Sequence, residues 1–500
     1  MLDTSGTLAV TDFAVVSSLS ETIAIPSTKS FSQSPSSRPP MKRQEQAMRA
    51  PKAVPASACD VSGCQPQKAI TATSAPPPST TLERVRAGWR EWVVRAGFEL
   101  LGGIFAGDLP WVGNVVDQAP VMPRRVLPIL AAVLLPVLCA CDATDGAGLP
   151  PPPSAESMAA LAKGDIGASR ENLARAIDGV FAQEAGETRA LIVMHGTRIV
   201  AERYGEGYAD DTRFVGWSLT KTVTGVVIGM LIADGSLALD QPAPLPRWQR
   251  GGDPRATITV RELLQMRSGL RHEEVGEPNY TGDTPRMLYL DGRDDMAHYA
   301  ETQPLDADPG KDWNYSSATS VILSDVATRA LTSSEKPAER QAAMAGYLHE
   351  RLFGPLGMTS AVPEFDARGT FIGGSMLHAT ARDWAKFGAM LRDSGLAENR
   401  VRVIPRSWVR FMITPSPADP AYGAHLWLNR TRPEGREPVL FPGKASDRVF
   451  AMLGFRGQYV VISPEQDLVI VRLGDTRGEE AESRLREAMA TLLSRFPKAQ

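Results

Sequence analysis

Two short stretches, residues 189–194 and 198–204, are rich in β-branched and apolar residues and are joined by His195-Gly196-Thr197. That pattern predicts a hairpin. Residues 449–453, 459–463 and 468–473 repeat it near the C-terminus, linked by GFRGQ and PEQD. Between these ends the apolar spacing is helical. Leu173, Ile177, Val180 and Phe181 fall on one helical face, and Leu485, Met489, Leu492 and Phe496 fall on another within residues 479–496. TVTGVVIGMLIADG is an apolar helix closed by Gly235, and Trp384 in ARDWAKFG belongs to a buried helix face. Strands at both ends and helices between them predict an α+β fold. It would have one antiparallel sheet built from N- and C-terminal parts, flanked by terminal helices, with a large, mostly helical insertion.

The first part of the chain lacks this patterning. SFSQSPSSRPP and TATSAPPPSTT cannot bury a core. Residues 1–121 are expected to be a disordered extension or an over-long reading of the gene. Two features stand against that: residues 81–105 fit a short amphipathic helix, and Cys59 and Cys64 are placed to pair. Residues 122–141, MPRRVLPILAAVLLPVLCAC, have the basic start, apolar core and small-residue end of a secretory signal. The apolar core falls short of the roughly 20 residues of a membrane span. The ending resembles a bacterial lipobox, which predicts Cys141 as a lipid-bearing N-terminus in the cell envelope or periplasm. Residues 142–168 are expected to be a linker, and 169–500 the folded domain.

Composition adds exclusions. A hydrophobic content of 43% and a net charge of −3 give no reason to expect a nucleic-acid partner. All four cysteines precede residue 142, so the body has no disulfide, thiol nucleophile or cysteine metal site.

The candidate chemistry begins at Ser218-Leu219-Thr220-Lys221. If the helix starts here, serine and lysine are three apart and share a face. The hydroxyl meets the positive helix terminus, and burial lowers the lysine pKa until it serves as a base. An ordinary helix cap explains the same residues. Tyr315, before a second helix, is placed to aim its hydroxyl at the pair, with neighbouring cations to lower its pKa; packing under a helix capped by Ser316 or Ser317 is the alternative. Residues 454–458, GFRGQ, open a strand whose glycines let an amide approach a carbonyl, forming an oxyanion hole with the Ser218 amide. A simple hairpin turn fits equally.

In this order the three elements resemble the serine β-lactamase and penicillin-binding-protein superfamily. The branch is the class C-type hydrolases, which include 6-aminohexanoate-dimer hydrolase and several esterases. ITVRELLQMRSGL, LFGPLGM, GGSMLHATARDWAKFGAML and YGAHLWLN support the resemblance over about residues 170–497. It implies the β-lactamase/transpeptidase-like fold, Ser218 as nucleophile, Lys221 as base, Tyr315 as proton shuttle and Gln458 as the second oxyanion amide. It implies no metal or cofactor.

Two departures bear on substrate. Ser317 stands where the β-lactamases carry asparagine, and Phe455-Arg456-Gly457 stands where they carry Lys-Thr-Gly or His-x-Gly. Strand alternation would turn Arg456 away from the serine. The expected substrate is a small ester, amide or peptide, with Trp217, Ser317, Phe455, Gly457 and Tyr280 as candidate contacts. His272 and Glu277 share the polar loop of Tyr280. Asp447 is expected to be structural, and His378 and His425 to be core or cap residues. A β-lactamase or D,D-carboxypeptidase is the second reading, and a non-catalytic sensor on the same fold the third.

Overall fold

The computed structural model describes residues 151–498. The secretory signal, Cys141, Cys59, Cys64 and the helix expected at 81–105 lie outside the described residues. The elements are α1 (Ala155–Ala159), α2 (Arg170–Val180), β1 (Glu187–His195), β2 (Arg198–Tyr204), β3 (Phe214–Val215), α3 (Leu219–Ala233), α4 (Val260–Leu264), α5 (Asp283–Tyr289), α6 (Met296–Glu301), α7 (Ser317–Leu331), α8 (Pro337–Leu348), β4 (Val362–Pro363), β5 (Leu377–Ala379), α9 (Ala381–Arg392), α10 (Arg406–Met412), β6 (Trp427–Leu428), β7 (Phe450–Gly454), β8 (Gln458–Ser463), β9 (Leu468–Asp475) and α11 (Glu479–Leu493).

The main sheet has six strands in the order β2-β1-β9-β8-β7-β6. Every neighbouring pair is antiparallel. Successive side chains alternate between two cores, as a pleated strand requires. Ala190, Ile192 and Met194 of β1 join Val469, Val471 and Leu473 of β9 in the larger core, with the helical insertion. Leu191, Val193, Leu468 and Ile470 face the other way, onto α2 and α11. The helical faces legible in the sequence are the ones buried there: Leu173, Ile177, Leu485, Met489, Leu492 and Phe496.

One boundary moves. Residues 154–168 were expected to be linker, yet Ser157 is buried and Leu161 and Ile166 enter the smaller core. The Ser154 hydroxyl donates to Asp178 at 2.5 Å, and Leu161 bridges Ala201 on the edge of β2. The small-residue composition hid a segment that caps a sheet edge.

α3 is apolar on every side, and all residues from Leu219 to Leu231 are buried. A helix of that kind belongs inside a core. Its burial places its first turn, and Ser218, at the junction of sheet and insertion.

Arg472 of β9 is fully buried and is held by neutral oxygens. It donates to Thr188 Oγ1 at 3.0 Å, the Glu187 carbonyl at 2.8 Å, Thr476 Oγ1 at 2.9 Å and the Gly457 carbonyl at 2.8 Å. Burial pushes its guanidinium down to about 10. It thereby fastens the β7–β8 turn to the start of β1. Arg472→Met should lower stability by about 3 kcal/mol, because it leaves buried carbonyls without donors. The check is the urea midpoint, expected to fall at an unchanged slope.

Candidate active site

β3 pairs with β5, Val215 opposite His378, and the Gly216 amide donates to the Leu377 carbonyl at 2.8 Å. The chain then turns sharply. Trp217 has φ +47°, a left-handed conformation that a bulky residue holds only when its surroundings impose it. Beneath the turn, the Trp384 ring lies so close to Gly216 that a Cβ there would sit 2.5 Å from it. Above it, the Trp217 ring meets Phe455 edge-on, with centroids 5.7 Å apart. Ser218 follows at the N-cap of α3, and Lys221 lies one turn further on.

Lys221 is buried in the core. Its Nζ lies 2.9 Å from Ser218 Oγ, 2.7 Å from Ser317 Oγ and 3.0 Å from the Gly374 carbonyl. Burial lowers its pKa, and the Glu274 carboxylate opposes that without cancelling it. Tyr315 packs among Trp313, Tyr422 and Trp427, and it lines the same cavity as Ser218. Its ring centroid lies 4.9 Å from Lys221 Nζ.

The expected lowering of the Tyr315 pKa does not occur. Burial raises it, and the nearby Glu274 anion raises it further. The residue is a neutral phenol, which has a proton to give.

Ser317 lies at the start of α7, which Ser316 caps by accepting from the Thr319 amide. Its hydroxyl is not free to grip a substrate. It donates to Glu274 Oε1 at 2.6 Å while Lys221 donates to it, and its amide donates to Glu274 Oε2 at 2.7 Å. Glu274 was not singled out in the sequence. It receives His272 Nε2 at 2.8 Å and Thr284 Oγ1 at 3.0 Å as well, and lies 3.8 Å from Lys221. Burial would raise its pKa, but Lys221, His272 and Ser317 together bring it below the usual carboxylate range. The sequence signal for it was indirect: with serine replacing asparagine, the lysine needed another polar neighbour.

Ser218 opens into a cavity of about 380 Å³. Trp217, Leu288, Tyr289, Trp427, Val439 and Phe455 form much of its wall, and among the described residues Glu274 is its single charged lining residue. Trp217 and Phe455 are therefore where the sequence placed them. Tyr280 is not: its side chain is exposed and its neighbour Asn279 lines the cavity.

Of the two readings of the GFRGQ segment, the structure shows the hairpin turn. Residues 455–457 are the turn between β7 and β8, not strand, and Gly454 pairs with Gln458. Gly457 faces Arg472 and Leu485, away from the cavity. Gln458 is buried outside the lining, its side chain bonded to the Phe455 and Gly474 carbonyls. The cavity instead meets Gly454 and Phe455. Neither the Ser218 nor the Phe455 amide is engaged by a protein acceptor among the described residues. Gly454 is needed for close approach, since a Cβ there would sit 2.5 Å from the Gly216 carbonyl. Arg456 turns away, as expected, and reaches Asp475 at 3.2 Å.

The remaining candidates are structural. His425 is buried between the Leu264 carbonyl and Ser320, and burial pushes it down to about 4. His378 pairs with Glu364 near the surface instead of entering the core. Asp447 lines a separate cavity beyond β7. Among the described residues no group of three or more His, Cys, Asp or Glu side chains is spaced to hold a metal.

A strained strand-to-helix turn, a serine on a buried lysine and a phenol beside them mark a serine hydrolase. The profile of the Beta-lactamase family matches residues 173–493, and the chain belongs to that family. It has the β-lactamase/transpeptidase-like fold. It is similar to 6-aminohexanoate-dimer hydrolase of Paenarthrobacter ureafaciens, 26% identical over 57% of this chain and 72% of that one. It is also similar to the esterase EstB of Burkholderia gladioli, 31% identical over 30% of this chain and 44% of that one. The structure of a family VIII carboxylesterase superposes with a TM-score of 0.48 at 16% identity, covering 64% of this chain and 97% of that one.

The contact of Gly454 with the Ser218 turn gives a direct test. Gly454→Ala should push β7 away and cut fluorophosphonate labelling by about 10²-fold with the fold intact, read by intact mass and circular dichroism.

Proposed function

We propose that the protein hydrolyses small, uncharged esters or amides through an acyl-enzyme on Ser218. The observation that carries this reading is the 2.9 Å contact between Ser218 Oγ and a lysine whose burial lowers its pKa, on an apolar cavity. Lys221 takes the hydroxyl proton as Oγ attacks the carbonyl carbon. The Ser218 and Phe455 amides receive the developing oxyanion. As the bond to the leaving group breaks, the neutral Tyr315 phenol gives it a proton and recovers one from Lys221. Water then attacks the acyl carbon and passes a proton to Lys221. Lys221 returns it to Ser218 as the ester bond breaks.

The lining supports uncharged substrates. Among the described residues it holds one carboxylate and no cationic side chain, so none of them pairs with the carboxylate of a β-lactam or a peptide terminus. The 6-aminohexanoate-dimer hydrolase and esterase relatives agree with an amide or ester substrate.

We infer further that the protein is exported and anchored through a lipid on Cys141. The support is the basic, apolar and small-residue order of residues 122–141. Labelled palmitate should enter the full chain and be lost in Cys141→Ala; incorporation by both would remove the anchor.

A fluorophosphonate should add one adduct to the native protein and none to Ser218→Ala. p-Nitrophenyl butyrate should turn over, nitrocefin should not, and Tyr315→Phe should slow ester turnover by about 10²-fold. Sustained nitrocefin turnover would establish a β-lactamase instead. One adduct without turnover of any ester or amide would mark a sensor.

A further inference from the structure

We propose that Glu274 is a positioning residue that, through Ser317, aims the lone pair of Lys221 at the Ser218 hydroxyl. This rests on the acyl-enzyme reading above.

A neutral amine has two N–H bonds and one lone pair, and three oxygens surround Lys221 Nζ. The Gly374 carbonyl only accepts. Ser317 has one proton, and it is committed to Glu274 Oε1 at 2.6 Å. Towards the lysine, Ser317 therefore also only accepts. Both amine protons are drawn to these two oxygens, and the lone pair is left facing Ser218. A serine free to rotate would offer its own proton to Lys221 and compete with the nucleophile for the base.

The carboxylate is built for this task. The Ser317 amide and hydroxyl, Thr284 and His272 converge on it. Among the described residues the buried Nδ1 of His272 has no partner, and Nε2 is the nitrogen that faces Glu274 at 2.8 Å. An amide in place of the carboxylate would turn an NH₂ towards some of these donors. If that NH₂ faced Ser317, the Ser317 hydroxyl would reverse and donate to Lys221.

The charge has a second effect. Lys221 is faced by Glu274 from its loop, Tyr315 ahead of α7 and His425 ahead of β6, with His272 behind Glu274 and Tyr422 behind Tyr315. Glu274 is the anion among them, and it raises the lysine pKa against burial. Lys221 must be neutral to act, so the labelling rate rises with pH through its pKa. Removing the anion moves that rise to lower pH.

The test is the pH profile of fluorophosphonate labelling for the native protein, Glu274→Gln, Glu274→Asp and Ser317→Ala. Melting temperatures establish that each variant is folded. Glu274→Gln should shift the rising limb down by about one pH unit and lower the plateau by about 10²-fold. Glu274→Asp, which keeps the charge, should hold the native limb. Ser317→Ala should lower the plateau less than Glu274→Gln, because it removes an acceptor without supplying a competing proton. A folded Glu274→Gln protein with the native limb and plateau would overturn the proposal while leaving the acyl-enzyme reading standing. A native protein that takes no label would overturn both.

Discussion

A lysine deprived of water is the constraint on which this architecture turns. Burying an ammonium group is costly, and the cost falls when the group gives up its proton. Lys221 is buried because α3 runs through the larger core, and it is satisfied because separate segments supply oxygens to it. One is its own first turn, one is the start of α7, and one is the loop ahead of β5. The insertion and the sheet must therefore be docked before the base exists as a base. Stability and chemistry share the same contacts here. The residues that make Lys221 tolerable in the core are also those that surround the nucleophile.

The surroundings of that lysine explain how a chain can depart from its family's pattern and keep its centre coherent. Serine replaces an amide two positions after Tyr315, and a carboxylate from another loop fills the electrostatic role. The Phe455 ring occupies the turn where a cationic or histidine motif would stand. It packs on Trp217, so the same substitution that removes a polar grip braces the strained turn before Ser218. Arg472 holds the β7–β8 turn from below through the Gly457 carbonyl. The cavity wall is thus fixed from the smaller core, on the far side of the sheet from the base.

What was legible in the sequence follows from the range of each interaction. Ser218 and Lys221 are one helical turn apart, so local geometry announced them. The strands and terminal helices were legible because burial imprints a period on them. Glu274 was not, because its loop has no period and its contact with Ser317 spans 43 residues. Gln458 was misplaced because the family's strand motif was carried onto residues 455–457, where a hairpin turn fitted equally. A turn of residues 455–457 moves the cavity-facing amide back to Phe455. Tyr280 was expected at the cavity and Tyr289 was not singled out, because only the packing of α5 decides which of these rings reaches it. Residues 154–168 were taken for linker because they continue a stretch rich in proline, glycine, serine and alanine, although a few of them cap a sheet edge.

The sheet order has a consequence for the birth of the molecule. β9 is the last strand made, yet it lies between β1 and β8. The hydrogen bond from Arg472 to Thr188 joins residues 284 positions apart. While the ribosome works through the insertion, the β1–β2 hairpin waits with an unpaired edge and a bare apolar face. Closure of so distant a pairing is slow, and an exposed edge invites other chains. The protein is thus committed to a long adolescence: two of the six strands of its main sheet are held open until β9 emerges. Whatever shields nascent strands in the cell has its longest task on this hairpin.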